Sequence, residues 1–223
     1  MNPVEVTPVL DVHPPHEPVH GWRDFFVHLF TITVGLLIAL SLEGCVEWQH
    51  HRHLVHDAEA SLHSEIASNA KDLKDVVGDL HKQQSALKQD VSYLKEVIKD
   101  PKADHHGHME IGFHIANFDS VSWKTAESTG ALSYMPYEMA QEYSNIYSTQ
   151  DELFKAEEVA GRDAILSLAP FINVGNEDVK PTAAEADALK QKIEVLQGQL
   201  LLVDSLMKGL DEEYKKFLAA HPE

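Results

Sequence analysis

The sequence predicts an all-α fold in which one N-terminal transmembrane helix continues into an antiparallel, coiled-coil-like helical bundle. Three observations indicate this class. Residues 25–42 form an apolar run of 18 residues in which only His28 could carry charge. No proline interrupts the chain from residue 43 to residue 99. From residue 189 to residue 217, apolar side chains recur at steps of three and four, the period of a helix with one buried face.

The composition divides the chain of 223 residues into three parts. Residues 1–21 hold five of the ten prolines and show no apolar periodicity, so we predict a disordered tail rich in proline and histidine. Residues 22–48 are the predicted transmembrane helix, and residues 49–223 a helical, rod-like soluble domain. The net charge of −18 argues against nucleic acid as a partner, because phosphate binding requires clustered lysine and arginine.

The apolar run matches the thickness of a lipid bilayer. At a rise of about 1.5 Å per residue it spans about 27 Å, and Trp22 and Trp48 flank it where tryptophan favours the membrane interface. We therefore predict a single-pass protein of the cell inner membrane. One alternative is a buried core helix. Another is a lipid-anchored form processed before Cys45, although Glu43 and the acidic, base-poor start disagree with a lipoprotein signal.

Small residues recur along one side of the predicted span. Thr31, Gly35 and Ala39 are spaced by four, and small side chains at this spacing let two helices approach closely in lipid. This pattern favours a dimer face. The alternative is the ordinary use of glycine and alanine in membrane helices.

The soluble domain begins with a predicted helix whose apolar stripe runs in heptads from residue 62 to Ile98. Asn69, Gln83 and Asp90 interrupt this stripe with polar side chains. Asn69 and Gln83 either fix the register between packed helices or tolerate a partly hydrated contact. Pro101 ends the helix, because proline lacks a backbone donor and clashes with the preceding turn.

Two further helices are marked by their ends. Asp119 or Ser120 is the predicted N-cap of a short helix that ends at Gly130. Pro136 is predicted to open a longer helix that reaches about residue 168, with a weaker apolar stripe. The chain then turns through a second loop before the last helix.

The last helix has the clearest pattern of the soluble domain. Thr182 and Glu185 form a predicted capping box at its start. Its seam, the row of side chains on one face, is Leu189, Ile193, Leu196, Leu200, Val203, Met207, Leu210, Tyr214 and Phe217. Such a seam must be buried against other helices, and the return of the chain between long helices favours antiparallel neighbours.

Histidines form the candidate metal sites. One group steps by three after the span and the other lies in the loop after Pro101, where imidazoles could hold zinc or copper. The candidate ligands are His50, His53, His56, His105, His106, His108 and His114. The alternatives are a solvated face next to the membrane for the first group and a compositional bias for the second. The sequence predicts no resident cofactor.

Aromatic residues gather around the predicted turn at Gly130. Trp123, Tyr134, Tyr137, Tyr143 and Tyr147 either line a small-molecule pocket or close the end of the bundle by ring packing. The sequence contains no phosphate-binding glycine loop, no His-Glu-x-x-His motif and no cysteine pair. We therefore predict that the protein is not an enzyme.

Several short motifs resemble a broad family of uncharacterised bacterial single-pass membrane proteins. The motifs are Val34-Gly35-Leu36-Leu37-Ile38-Ala39-Leu40, Glu47-Trp48, the block from Leu62 through Glu65 and Ile66 to Asn69, the block from Trp123 to Leu132, and the block from Ile146 to Gln150. The resemblance covers roughly residues 25–153. It implies an envelope protein with a helical domain and no assigned activity.

These features predict a membrane-anchored structural or interaction protein of the bacterial envelope. It would self-associate or dock to another membrane protein through helical seams, with the lipid bilayer as a further partner. The alternative is a sensory or ligand-binding bundle for a metal ion or protons, which the 15 histidines favour. Arg23 and Arg52 lie on opposite sides of the span, so the positive-inside rule does not predict its orientation. The short tail and the resemblance favour a periplasmic soluble domain, with a cytoplasmic one as the alternative.

Overall fold

The computed structural model describes residues 21–103, 116–169 and 181–222, with side chains for all of these except residues 167 and 168. Every regular element within these ranges is helical, which confirms the all-α class. The chain divides into two compact units, residues 1–50 and residues 51–223. The elements are α1 (Trp22–Lys99), α2 (Val121–Thr129), a short 3-10 helix (Ala131–Tyr134), α3 (Tyr137–Leu168) and α4 (Ala183–Ala220).

The described part of the first unit is the N-terminal portion of α1. Its most apolar window of 18 residues has a mean hydropathy of 2.3 and no buried residue, so the helix is long and apolar enough to cross a membrane. The alternative of a buried core helix therefore has no support in the first unit. The hydroxyls of Thr31 and Thr33 donate to carbonyls four residues earlier at 2.8 Å, and Ser41 does so at 2.6 Å. These polar groups are satisfied within the helix, as lipid requires.

In the second unit, α1 buries the predicted heptad stripe. The buried apolar residues include Leu62, Ile66, Leu73, Leu80, Leu87 and Leu94. The stripe ends differently from the prediction, because Val97 is buried whereas Ile98 is only half-buried. The buried positions Leu87, Asp90, Leu94 and Val97 follow alternating steps of three and four. The heptad period therefore continues to Val97, and the predicted step of four from Leu94 to Ile98 is wrong.

The predicted bounds of the helices are confirmed, but the Ser120 side chain makes no capping hydrogen bond to α2. Ser120 precedes α2, and Gly130 follows it in the left-handed conformation with φ 76° and ψ 11°, which glycine adopts without a Cβ clash. Pro136 precedes α3. The Glu185 amide donates to Thr182 Oγ1 at 3.3 Å, and the Thr182 amide donates to Glu185 Oε2 at 2.8 Å, which completes the capping box of α4.

Hydrogen bonds between the helices define their directions in the second unit. In the hydrogen-bonded pairs between α1 and the α4 segment, the residue number decreases in α4 as it increases in α1, so the two helices are antiparallel. These pairs are His63 with His221, His81 with Asp204, and Gln84 with Leu200. α3 is antiparallel to α4 for the same reason, with bonds from Gln199 to Asp163 and from Thr149 to Glu213. α1 and α3 are therefore parallel to each other.

The seam of α4 lies inside this three-helix arrangement. All nine seam residues are buried, from Leu189 to Phe217, and they belong to one apolar core with side chains of α1 and α3. The burial requirement predicted from the sequence is thus met within a single chain. The seam itself is therefore not available to a second chain, whereas Val195, Leu201 and Leu202 are exposed elsewhere on α4.

Candidate functional site

Buried polar side chains from three helices meet in the second unit. Glu65 and Asn69 lie one turn apart on α1, Tyr147 and Gln150 lie on α3, and Tyr214 lies on α4. All five are buried, and Asn69 is only 1% exposed. We call these five residues the polar cluster. Buried polar groups are costly unless they are hydrogen-bonded, so the partners of each one define what the cluster does.

Asn69 pairs with the backbone of Asp119, in the segment that leads into α2. The Asp119 amide donates to Asn69 Oδ1 at 2.9 Å, and Asn69 Nδ2 donates to the Asp119 carbonyl at 2.8 Å. A carboxamide carries a donor and an acceptor side by side, so it can replace both hydrogen bonds of a backbone neighbour. Asn69 therefore fixes the segment before α2 rather than the register between two helices alone.

Gln150 joins the same segment to α4. Its Nε2 donates to the Asp119 carbonyl at 3.0 Å, and its Oε1 accepts from the Tyr214 hydroxyl at 2.9 Å. Asn69 Nδ2 also lies 3.4 Å from Gln150 Oε1. Burial raises the pKa of the Tyr214 hydroxyl, which keeps it protonated as a donor. One amide thus connects α1, α3, α4 and the segment before α2.

Glu65 caps α2 from another helix. Its Oε2 accepts from the Ser122 amide at 2.8 Å, and its Oε1 accepts from the Tyr147 hydroxyl at 2.7 Å. The side chain of Ser120, a predicted N-cap, makes no capping hydrogen bond. A carboxylate at a helix N-terminus satisfies a free amide and interacts favourably with the helix dipole. Burial, and then the bond to Glu65, raise the pKa of Tyr147.

A cleft of about 560 Å³ lies between residues 116–127 and α3, beside the polar cluster. The Trp123 ring stacks on the Tyr147 ring at a centroid distance of 5.0 Å and an interplanar angle of 15°. The residues that shape the cleft include Phe118, Trp123, Tyr147, Gln150, Phe154 and Glu157. The cluster and the cleft share Tyr147 and Gln150, so the cluster holds one wall of the cleft in place.

Glu157 is the buried carboxyl group of the cleft. It is 2% exposed, and its Oε1 accepts from the Ala116 amide at 3.2 Å. Burial raises the pKa of Glu157 to about 7, and the bond from Ala116 opposes this shift. No charged neighbour contributes to the shift among the described residues. The carboxyl group therefore lacks a counter-ion within the part of the chain that the structure describes.

The predicted metal ligands are not assembled into a site among the described residues. His50, His53 and His56 are exposed on α1. Neither they nor any other described histidine, cysteine or acid forms a group of three that could hold a metal ion. The neighbouring His51 stacks on Tyr134 at a centroid distance of 3.6 Å. The other four candidates, His105, His106, His108 and His114, lie outside the described residues, so the metal site stays a prediction.

The predicted aromatic group splits between the two roles considered for it. Trp123 and Tyr147 line the cleft. Tyr143 is buried, and its ring lies 5.1 Å from that of Phe217 in the core. Tyr137 is 80% exposed and belongs to neither role. The sequence placed these residues near one another but could not assign them to the cleft or the core.

Sequence reasoning did not identify Glu157 or Gln150 as site residues. Both occupy positions on the weak apolar stripe of α3. Their position on a buried stripe was the available signal, since a polar side chain there needs a specific partner. Glu65, Asn69, Trp123, Tyr147 and Gln150 all fall within the motifs of the family resemblance, and the structure brings these five together.

The chain matches no protein-family model, no curated protein and no solved structure. The resemblance to single-pass membrane proteins therefore stays a prediction.

Proposed function

We propose that the chain is a membrane-anchored structural or interaction protein of the bacterial envelope. The apolar portion of α1 crosses the inner membrane once, and the helical bundle lies on the periplasmic side. The observation that carries this proposal is the apolar window of α1, in which no residue is buried. An exposed apolar surface of that length is costly in water and is satisfied in lipid.

The polar cluster supports a structural role rather than catalysis. Glu65 and Asn69 bind backbone groups of the chain, and Gln150 joins two helices to the same segment. These hydrogen bonds are made within the chain, and they hold α2 and the segment before it against α1 and α3. We propose that this segment is a rigid surface for recognition, on a bundle whose helices pack in a coiled-coil-like way.

Self-association is proposed to use the membrane helix, because the seam of α4 is already buried. Thr31, Gly35 and Ala39 are exposed on α1. A Cβ atom added to Gly35 would meet no heavy atom within 4 Å, so the fold of the chain itself does not require glycine there. A second helix packed closely in lipid does require a small residue at that position. A homo-oligomer and a complex with another membrane protein both fit this face.

Native mass measurement in detergent tests the proposal. We expect an oligomer, or a complex with a co-purified membrane protein, that Gly35→Leu disrupts. Thr33→Leu is the matched control, because residue 33 lies about 160° around the helix from residue 35. A monomeric wild-type particle without a partner, or equal behaviour of the two variants, would contradict the role of this face.

Orientation is tested separately by a reporter enzyme fused after Glu223. We expect activity from a reporter that works only outside the cytoplasm and none from a reporter that works only inside. The opposite pattern would place the bundle in the cytoplasm and would exclude the periplasmic assignment.

A second candidate function is ligand binding by the bundle, for a metal ion or protons as predicted from the histidines. The cleft lined by Glu157 favours this candidate, because a buried carboxyl group with a pKa of about 7 gains or loses its proton near neutral pH. The melting temperature of the full chain, measured with zinc or copper and at pH 7.5 and 5.5, tests it. Unchanged melting under all these conditions would remove this function.

A further inference from the structure

We infer that the cleft between residues 116–127 and α3 binds a small organic cation, an amine or quaternary ammonium ion, with the Glu157 carboxylate as its counter-ion. This inference rests on the second candidate function, ligand binding by the bundle, but it replaces the metal ion proposed there with an organic cation. It is independent of the docking function, since the cleft and the small-residue face of α1 lie in different units of the chain.

The carboxyl group of Glu157 is the first reason. It lines the cleft, it is 2% exposed, and the described residues supply it with one donor, the Ala116 amide at 3.2 Å. A carboxylate has about four acceptor positions on its two oxygens. A bound cation would provide the missing charge in a place where water is largely excluded, and it would lower the raised pKa of Glu157.

The charges along the cleft are the second reason. Glu127 and Asp151 line it together with Glu157, and Lys124 is the single base that the described residues place along it. Lys155 pairs with Asp151 at 2.5 Å, so Glu127 and Glu157 are the carboxyl groups left to balance against Lys124. This excess of negative charge makes the cleft attractive to cations and repulsive to anions. The net charge of −18 acts in the same direction over longer distances.

The aromatic walls are the third reason. Phe118, Trp123 and Phe154 line the cleft, and Trp123 is held in place by its stack on Tyr147. The face of an aromatic ring attracts a cation placed over it, and tryptophan does so most strongly. A volume of about 560 Å³ accommodates a small organic ligand. A cleft lined by aromatic side chains and a buried carboxylate selects an organic cation over a bare metal ion, which prefers more oxygen or nitrogen ligands.

Three compounds of similar shape test the inference on the full-length chain in a maltoside detergent. They are tetramethylammonium, tert-butanol and pivalate, which are cationic, neutral and anionic, and isothermal titration calorimetry at constant ionic strength measures their binding. We expect saturable binding of tetramethylammonium at least tenfold tighter than that of tert-butanol, and none of pivalate. Equal binding of the three compounds, or no saturable binding of tetramethylammonium up to about 50 mM, would overturn the inference.

Two variants locate the binding. Glu157→Gln removes the charge and retains an acceptor for the Ala116 amide, and we expect it to weaken tetramethylammonium binding at least tenfold. Glu158→Gln is the matched control, because its side chain is exposed on the next position of α3 and its charge change is identical. Trp123→Phe keeps a ring and should weaken binding several-fold. Binding that Glu157→Gln leaves unchanged would exclude the cleft. Native mass measured on the same samples reports separately on the docking function.

Discussion

The pH dependence of stability is the most direct test of the buried Glu157. Burial raises its pKa to about 7 in the folded chain from an ordinary value of 4.5. Between these values the folded state binds more protons than the unfolded state, so the free energy of unfolding falls as the pH rises. The contribution of Glu157 to the free energy of unfolding is complete below pH 4.5 and is lost as the pH rises through 7. Integration of this difference from pH 5.5 to pH 8 gives a loss of about 2 kcal/mol.

Thermal unfolding of the wild-type chain and two variants, each at pH 5.5 and pH 8, measures this loss. Glu157→Gln should lose about 2 kcal/mol less than the wild type over this range, which corresponds to about 4–8 °C in melting temperature for a chain of this size. Glu158→Gln should lose as much melting temperature as the wild type over this range. It makes the same change in net charge as Glu157→Gln, but it removes an exposed carboxyl group. Both variants retain every histidine, so the histidine contribution cancels in the comparison.

The reasoning would be refuted if the melting temperature of Glu157→Gln fell with pH as steeply as that of the wild type. The pKa of Glu157 would then be ordinary in the folded chain, and the cleft would not exclude water around the carboxyl group. An equal effect of Glu158→Gln would instead trace the pH dependence to net charge.

The polar cluster yields two further predictions, both measured by chemical denaturation. Asn69→Ala removes both hydrogen bonds to the Asp119 backbone and should lower the free energy of unfolding by about 2 kcal/mol. The control Asn145→Ala, at an exposed position of α3, should lower it by less than about 0.5 kcal/mol. Equal losses in the two variants would contradict the role of Asn69. Tyr214→Phe removes one buried hydrogen bond and should cost about 1 kcal/mol, and the same change at the exposed Tyr137 should be neutral. No loss for Tyr214→Phe would show that its hydroxyl is dispensable.

Local sequence patterns predicted the helices and their ends. The seam of α4, the capping box at Thr182 and the left-handed Gly130 depend on residues within about four positions of one another, and all are present in the structure. The period of three and four reports which face of a helix is buried, because side chains at that spacing share a face. It does not report what buries that face, and the partner of the α4 seam is therefore a result of the tertiary structure alone.

Helix periodicity and capping residues were enough to predict the helices of the described residues, including one helix long and apolar enough to cross a membrane. Three contacts could be seen only in the folded chain: Glu65 caps α2, Asn69 binds the backbone of Asp119, and Glu157 is a buried acid in the lining of an aromatic cleft. The donors and acceptors of the first two contacts are 57 and 50 residues apart. Helix period and capping residues act over one or two turns, whereas contacts across such distances exist only once the chain has folded back on itself.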